Sequence, residues 1–159
     1  MRMTSVLFIC HGNICRSPMA EFIFKDMVRK AGVEEARIDS AAVSYEEEGN
    51  DIYPPAKRTL HGHGIPFGRH SAHRVTDAEA SEYDVIIVMD SSNRRLLSRI
   101  ISPMNMSKVH LMMEYAGKDS DVSDPWYTGD FEKTYRDITE GCAGLLESLT
   151  QPDPTLTIG

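Results

Sequence analysis

Ser5-Val6-Leu7-Phe8-Ile9 runs straight into Cys10-His11-Gly12-Asn13-Ile14-Cys15-Arg16-Ser17-Pro18, and this stretch decides the fold. The first five residues read as a short β-strand. Gly12 can take positive φ, and Asn13 tolerates the left-handed region better than most residues, so the chain can curl tightly after Cys10. Ser17 then offers a helix N-cap with Pro18 at the first helical position, and Met19, Ile23 and Met27 mark one helical face. Gly32 suits the residue just past the end of that helix. A strand feeding a helix through a tight loop is the opening unit of an α/β domain.

Working outward, three more β-type runs follow at Ile38 to Val43, Asp84 to Met89 and Lys108 to Met112. The third strand is nearly all apolar, as expected of a strand buried on both faces. Helical segments separate them. One spans Pro54 to about His63, one begins at a Thr76/Glu79 capping box, one follows Asp90, and a long one runs from about Asp130 to Leu149. The alternation predicts an α/β, three-layer doubly wound domain with a four-stranded parallel sheet flanked by helices and right-handed crossovers. The domain is expected over residues 1–150, with 151–159 a short flexible tail, because Gln151-Pro152-Asp153-Pro154 cannot continue a helix. In such sheets ligands bind beyond the carboxyl ends of the strands, so the loop opened by Cys10 is the first place to look.

Bulk properties narrow the function. A chain of 159 residues with 41% hydrophobic and 26% charged residues suits one soluble globular domain. The net charge of -7 argues against a nucleic-acid binder, and any anion site must be built locally. The apolar run at Ser5–Ile9 is too short to cross a bilayer, and three cysteines without framework spacing suit a reducing compartment. A cytoplasmic protein without membrane contact is expected.

The loop has the parts of a phosphate site. Main-chain N–H groups wrapped between strand and helix form an anion nest, and Arg16 adds a charged planar fork matched to two phosphate oxygens. The same positive surroundings favour a thiolate on Cys10, to which the Ser17 hydroxyl could donate a hydrogen bond. Cysteine, five residues and arginine is a weak pattern alone. Its context strengthens it: the apolar strand before, Gly and Asn within, Ser-Pro after. A structural cysteine in an ordinary turn is the bland alternative, and zinc lacks a second Cys/His pair at ligand spacing.

Val6-Leu7-Phe8-Ile9-Cys10 through Pro18 resembles the loop of the low-molecular-weight protein tyrosine phosphatases. The similarity continues, in order, through Ile38-Asp39-Ser40-Ala41, His70, Val88-Met89-Asp90-Ser91-Ser92-Asn93 and Asp124-Pro125-Trp126-Tyr127 with Phe131-Glu132. The resemblance implies a metal-independent, cofactor-free phosphatase in which Cys10 is the nucleophile. The Arg16 fork and the amides of His11, Gly12, Asn13, Ile14, Cys15 and Arg16 would hold phosphate, with Ser17 beside them, and Asp124 would be the general acid. By itself Asp124-Pro125 is only a turn signal. Trp126 and Tyr127 would wall an aromatic substrate, and Ser40 and His70 would brace Asn13. Cys10 and Cys15 would be a pair able to close reversibly, although Cys15 also reads as a small buried side chain. Cys142 sits at a core position of the last helix, and Asp119, Asp121 and Asp130 read as solvated or capping residues. The implied partner is a tyrosine-phosphorylated protein, a tyrosine kinase or its target, acted on by a monomer.

The chain also departs from the family. His11 stands where an aliphatic residue is usual, so it either pairs with the thiolate or rims the pocket. Ala42 replaces a frequent glycine. Ser44-Tyr45-Glu46-Glu47-Glu48-Gly49-Asn50 replaces a segment that commonly offers an aromatic wall and a histidine. Three glutamates would favour basic substrate flanks if they face the site; the alternative is a solvated acidic loop. Three rival readings remain. Arsenate reduction on this fold needs a cysteine relay that only Cys142 could begin. An arginine phosphatase would carry threonine at Ile14, whose apolar branch suits a phenyl ring better than a guanidinium. A non-catalytic phosphoprotein-binding module would have no use for Asp124.

Overall fold

The structure, a computed structural model, describes residues 4–33 and 36–150. From the amino end, β1 (Ser5–Cys10) leads through the loop to α1 (Arg16–Lys30), β2 (Arg37–Ala42), α2 (Pro54–Gly62) and α3 (Asp77–Ala80). Then come β3 (Val85–Val88), α4 (Ser91–Leu97), α5 (Pro103–Met106), β4 (Val109–Leu111) and a 3₁₀ turn (Met112–Ala116). The short α6 (Pro125–Thr128) and the long α7 (Phe131–Thr150) close the described chain. The strands form one parallel sheet in the order β2-β1-β3-β4, the doubly wound arrangement the alternation predicts. The expected tail at 151–159 lies outside the described residues.

The two-residue period of β1 builds the layers. Val6 and Phe8 point into one apolar cluster with Met19, Phe24, Ile138 and Leu145 of α1 and α7. Leu7 and Ile9 point into the other, with Val75, Tyr83 and Leu97. All four β1 side chains are buried, each stabilising the fold by about 1.5–3 kcal/mol relative to exposure. In register, Ile9 lies between Ala41 of β2 and Val88 of β3, so the carboxyl ends of three strands meet at one edge. That edge carries the site.

Two expected caps differ. α1 begins at Arg16, with Cys15 at the N-cap position and no side-chain cap, so Ser17 is not the N-cap and Pro18 is the third helical residue. The Ser17 hydroxyl is held 3.0 Å from the Cys10 sulfur instead, because the loop claims it. The Thr76/Glu79 box is half formed: Thr76 accepts from the Glu79 N–H, while the Glu79 carboxylate receives the His73 ring at 2.7 Å. The carboxyl end of α1 follows expectation. The Gly32 N–H donates to Arg29 and that of Val33 to Val28, with Gly32 at φ +74°. Strand ends shift by a residue; β4 is shorter than predicted because Met112 already starts the 3₁₀ turn.

Candidate active site

Cys10 ends β1 with its sulfur at the floor of a cleft of about 660 Å³. The Asn13 N–H donates to that sulfur at 3.3 Å, across a turn that Asn13 makes at φ +61°. A buried polar chain stands behind it. The Asn13 amide donates to Ser17 Oγ at 2.8 Å and to Ser40 Oγ at 3.0 Å, and the Ser40 hydroxyl donates to Glu21 Oε1 at 2.6 Å. The Asn13 side-chain carbonyl accepts the His73 N–H at 3.3 Å, and its main-chain carbonyl accepts the His70 Nε2–H at 2.6 Å.

The chain has a direction. A carboxylate only accepts, so the Ser40 proton points at Glu21 and the Ser40 oxygen must accept from Asn13. Ser17 also accepts from Asn13. Its own proton is therefore available to the sulfur, the nearest alternative being the Ala41 carbonyl at 3.5 Å.

Arg16 is 3% exposed. Its Nη1 donates to Asp90 at 2.8 Å and to the Val122 carbonyl at 2.9 Å, and its Nη2 to Asp124 at 3.4 Å. Burial pushes the guanidinium pKa down, but the charges of Cys10, Asp124 and Asp90 outweigh it and raise the pKa. Asp90 also caps α4 by accepting the Asn93 N–H at 2.7 Å, so both its oxygens are engaged. Asp124 caps α6 through the Trp126 N–H at 3.1 Å. This loop hangs from the sheet by the Val122 N–H, which donates to Met89 at 2.9 Å. Trp126 and Tyr127 are exposed at 52% and 85%, and Trp126 leans on Tyr53 with centroids 5.0 Å apart.

The predicted site residues fall into two sets. His11, Gly12, Ile14, Cys15, Trp126 and Tyr127 line the cleft beside Cys10, Arg16 and Asp124. Asn13 and Ser17 within the loop, and Ser40 and His70 behind it, hold its shape. His11 rims the cleft: its Nε2 donates to Glu46 at 3.1 Å. The glutamate run divides, with Glu46 and Glu47 lining the cleft while Glu48 accepts the Arg74 N–H. A Cβ on Gly12 would meet Glu47 Cγ at 3.2 Å, so the Glu47 side chain packs closely over this glycine. Cys15 and Cys142 are free and buried. Burial pushes the Cys15 thiol up to about 12, helped by the charges of Cys10 and Asp124, and burial also raises Cys142. Asp121 and Asp130 accept main-chain N–H groups of Ser91 and Lys133.

Sequence reading missed Glu21, His73 and the full part of Asp90. Glu21 lies one helical turn from Ser17 on the same face of α1, a polar residue among Ala20, Phe22 and Ile23. Asp90 follows directly on an apolar strand, where side chains reach the sheet's ligand edge.

Fold and cleft together define a cysteine-dependent phosphatase. The model for the low molecular weight phosphotyrosine protein phosphatases matches residues 5–154, and the chain belongs to that family. It is 40% identical over 151 residues to the low molecular weight protein-tyrosine-phosphatase YfkJ of Bacillus subtilis, covering 92% of this chain and 96% of that protein. It is 38% identical over 149 residues to the human low molecular weight phosphotyrosine protein phosphatase, covering 90% and 94%. The crystal structure of YfkJ superposes with a TM-score of 0.87, at 38% identity over 94% of this chain and 96% of that one. A Drosophila arginine phosphatase reaches 0.86 at 30% identity, over 95% and 100%. One fold thus serves proteins named for different phosphorylated residues. Among the described residues no helix is long and apolar enough to cross a membrane.

Proposed function

We propose that the chain hydrolyses phosphotyrosine in proteins, and small aryl phosphates, through a cysteinyl-phosphate intermediate. One observation carries the reading. The Cys10 sulfur receives the Asn13 N–H at 3.3 Å and faces the Ser17 hydroxyl at 3.0 Å, while buried Arg16 bridges to Asp124 across the cleft.

Phosphate docks on the loop amides and the Arg16 fork, which neutralise its charge. The Cys10 thiolate attacks phosphorus in line, the bond to the ester oxygen breaks, and Asp124 gives that oxygen its proton. Water then attacks the phosphocysteine and yields a proton to Asp124. The S–P bond breaks, inorganic phosphate leaves, and Ser17 steadies the returning thiolate. Asp90 keeps the fork aimed, and Asn13, braced by Ser40 and His70, keeps the loop open. Trp126, Tyr127 and Ile14 offer flat and apolar surface to a phenyl ring. One chain supplies every group, so no second subunit is needed, and a nucleophile that must stay reduced suits the cytoplasm.

Matched phosphotyrosine, phosphoserine and phosphoarginine peptides, with Cys10→Ser as control, test the proposal. The phosphotyrosine peptide should be cleared fastest. Cys10→Ser should lose at least about 10⁴-fold in turnover yet still bind phosphate. Preference for phosphoarginine would overturn the substrate assignment, and an active Cys10→Ser the mechanism.

A further inference from the structure

The cleft is larger than its chemistry needs. A volume of about 660 Å³ is in the range, roughly 300–1,000 Å³, that holds a drug-sized ligand. The cleft therefore has room for groups flanking a phosphorylated ring, and Glu46 and Glu47 line it. These two residues are held in place. The Ser44 N–H and hydroxyl both donate to the His11 carbonyl, at 3.2 and 3.0 Å, and the Val43 N–H donates to the Cys10 carbonyl at 3.1 Å. The turn is thus stitched to the phosphate loop. Glu47 packs over Gly12, and its Oε2 takes a neutral donor, the Asn50 amide, at 2.7 Å, so its charge is not cancelled. Among the described residues the Glu46 carboxylate pairs with the His11 ring alone. Among the described residues Arg16 is the one arginine or lysine lining the cleft, and its ion pairs are with Asp90 and Asp124 rather than with the rim.

We infer that Glu46 and Glu47 form an anionic rim that selects phosphotyrosine flanked by lysine or arginine. This rests on the phosphotyrosine reading of the same site. The cleft then presents two fields: a positive floor that takes the phosphoryl group, and a negative mouth that takes a cationic neighbour and turns away acidic ones. Glu48, turned to the Arg74 main chain, takes no part.

Three phosphotyrosine peptides of one sequence, with lysine, alanine or glutamate on both sides of the phosphotyrosine, test the rim by kcat/KM. The order should be lysine, alanine, glutamate, with a spread of about tenfold at low salt that shrinks as salt screens the rim. In the double variant E46Q/E47Q the spread should fall below about twofold, whereas E48Q should keep it. Comparing peptides within each variant removes any general change in activity. Equal rates for the three peptides in the unsubstituted enzyme, or a spread that survives E46Q/E47Q, would overturn the rim while leaving phosphotyrosine hydrolysis intact. Turnover of none of them would fell the phosphotyrosine reading itself, and the rim with it.

Discussion

The two halves of the cleft are built in opposite ways. From Cys10 to Ser17 the chain is almost wholly buried, and Asn13 alone makes five hydrogen bonds, four of them with residues outside the loop or with the Cys10 sulfur. From Asp124 to Tyr127 the chain is a single exposed turn, capped by one carboxylate and resting on Tyr53. The difference follows from what each half would do in the proposed mechanism. Receptors for a dianion must be fixed in advance, since reorganising dipoles around charge is costly. An acid and an aromatic wall must admit a substrate and release a product, which suits a segment with few buried contacts.

The sharpest way to break that contrast is to remove the proposed acid. Asp124→Ala should slow phenyl phosphate, a poor leaving group, by about 10²–10⁴-fold and nitrophenyl phosphate far less. Its melting temperature should hardly move, because the helix it caps is one exposed turn. Steady-state rates across a leaving-group series check this, and equal slowing of all esters would discard Asp124 as the acid. Next comes the cradle. Asn13→Ala removes three buried side-chain bonds and puts alanine at φ +61°, at a cost of about 3 kcal/mol. Thermal unfolding should shift down by about 10 °C, and activity should fall with it. One half is thus read by rate and the other by stability.

Glu21→Gln is a finer cut at the same cradle. Glutamine keeps the shape but can donate as well as accept, so the direction of the chain through Ser40 and Asn13 is no longer forced. Alkylation of Cys10 by iodoacetate should slow by roughly fivefold, a change of about 1 kcal/mol, while the fold stays intact. An unchanged rate would mean that the chain's direction is set elsewhere.

The same contrast governs what could be read beforehand. The cradle is local: strand, glycine, asparagine, arginine and Ser-Pro follow in order, so its shape was legible from Cys10 to Pro18. The acid loop was not. Asp124 lies 108 residues from Arg16, and Asp-Pro alone signals a turn, so only family resemblance pointed to it. The polar chain was hidden for a related reason: Ser40 meets Glu21 across 19 residues, and His73 meets Asn13 across 60. Such pairs exist only once β2 and the segment after α2 are laid against β1. Both capping errors also have a physical source. Ser17 and Glu79 carry good capping groups, but tertiary partners, the Cys10 sulfur and the His73 ring, hold them instead.

His73 supplies the smallest effect and joins the two scales. Its main-chain N–H serves Asn13 whatever the side chain is, while the ring donates to Glu79 at 2.7 Å. That hydrogen bond, opposed by burial and aided by the Glu79 charge, raises its pKa. The raised value means that the folded protein holds the proton more tightly than the unfolded chain does. The stabilisation is therefore complete below the ordinary histidine range and is lost as pH climbs through the raised value. The ring is 41% exposed, so solvent screening leaves only about 0.5 kcal/mol. Melting curves of the unsubstituted protein and His73→Gln should differ by about 1–2 °C at about pH 5.5 and converge at about pH 8.5. A gap that widened with pH would have the wrong sign for a histidine held charged by Glu79. A constant gap would place the effect in packing rather than in the proton.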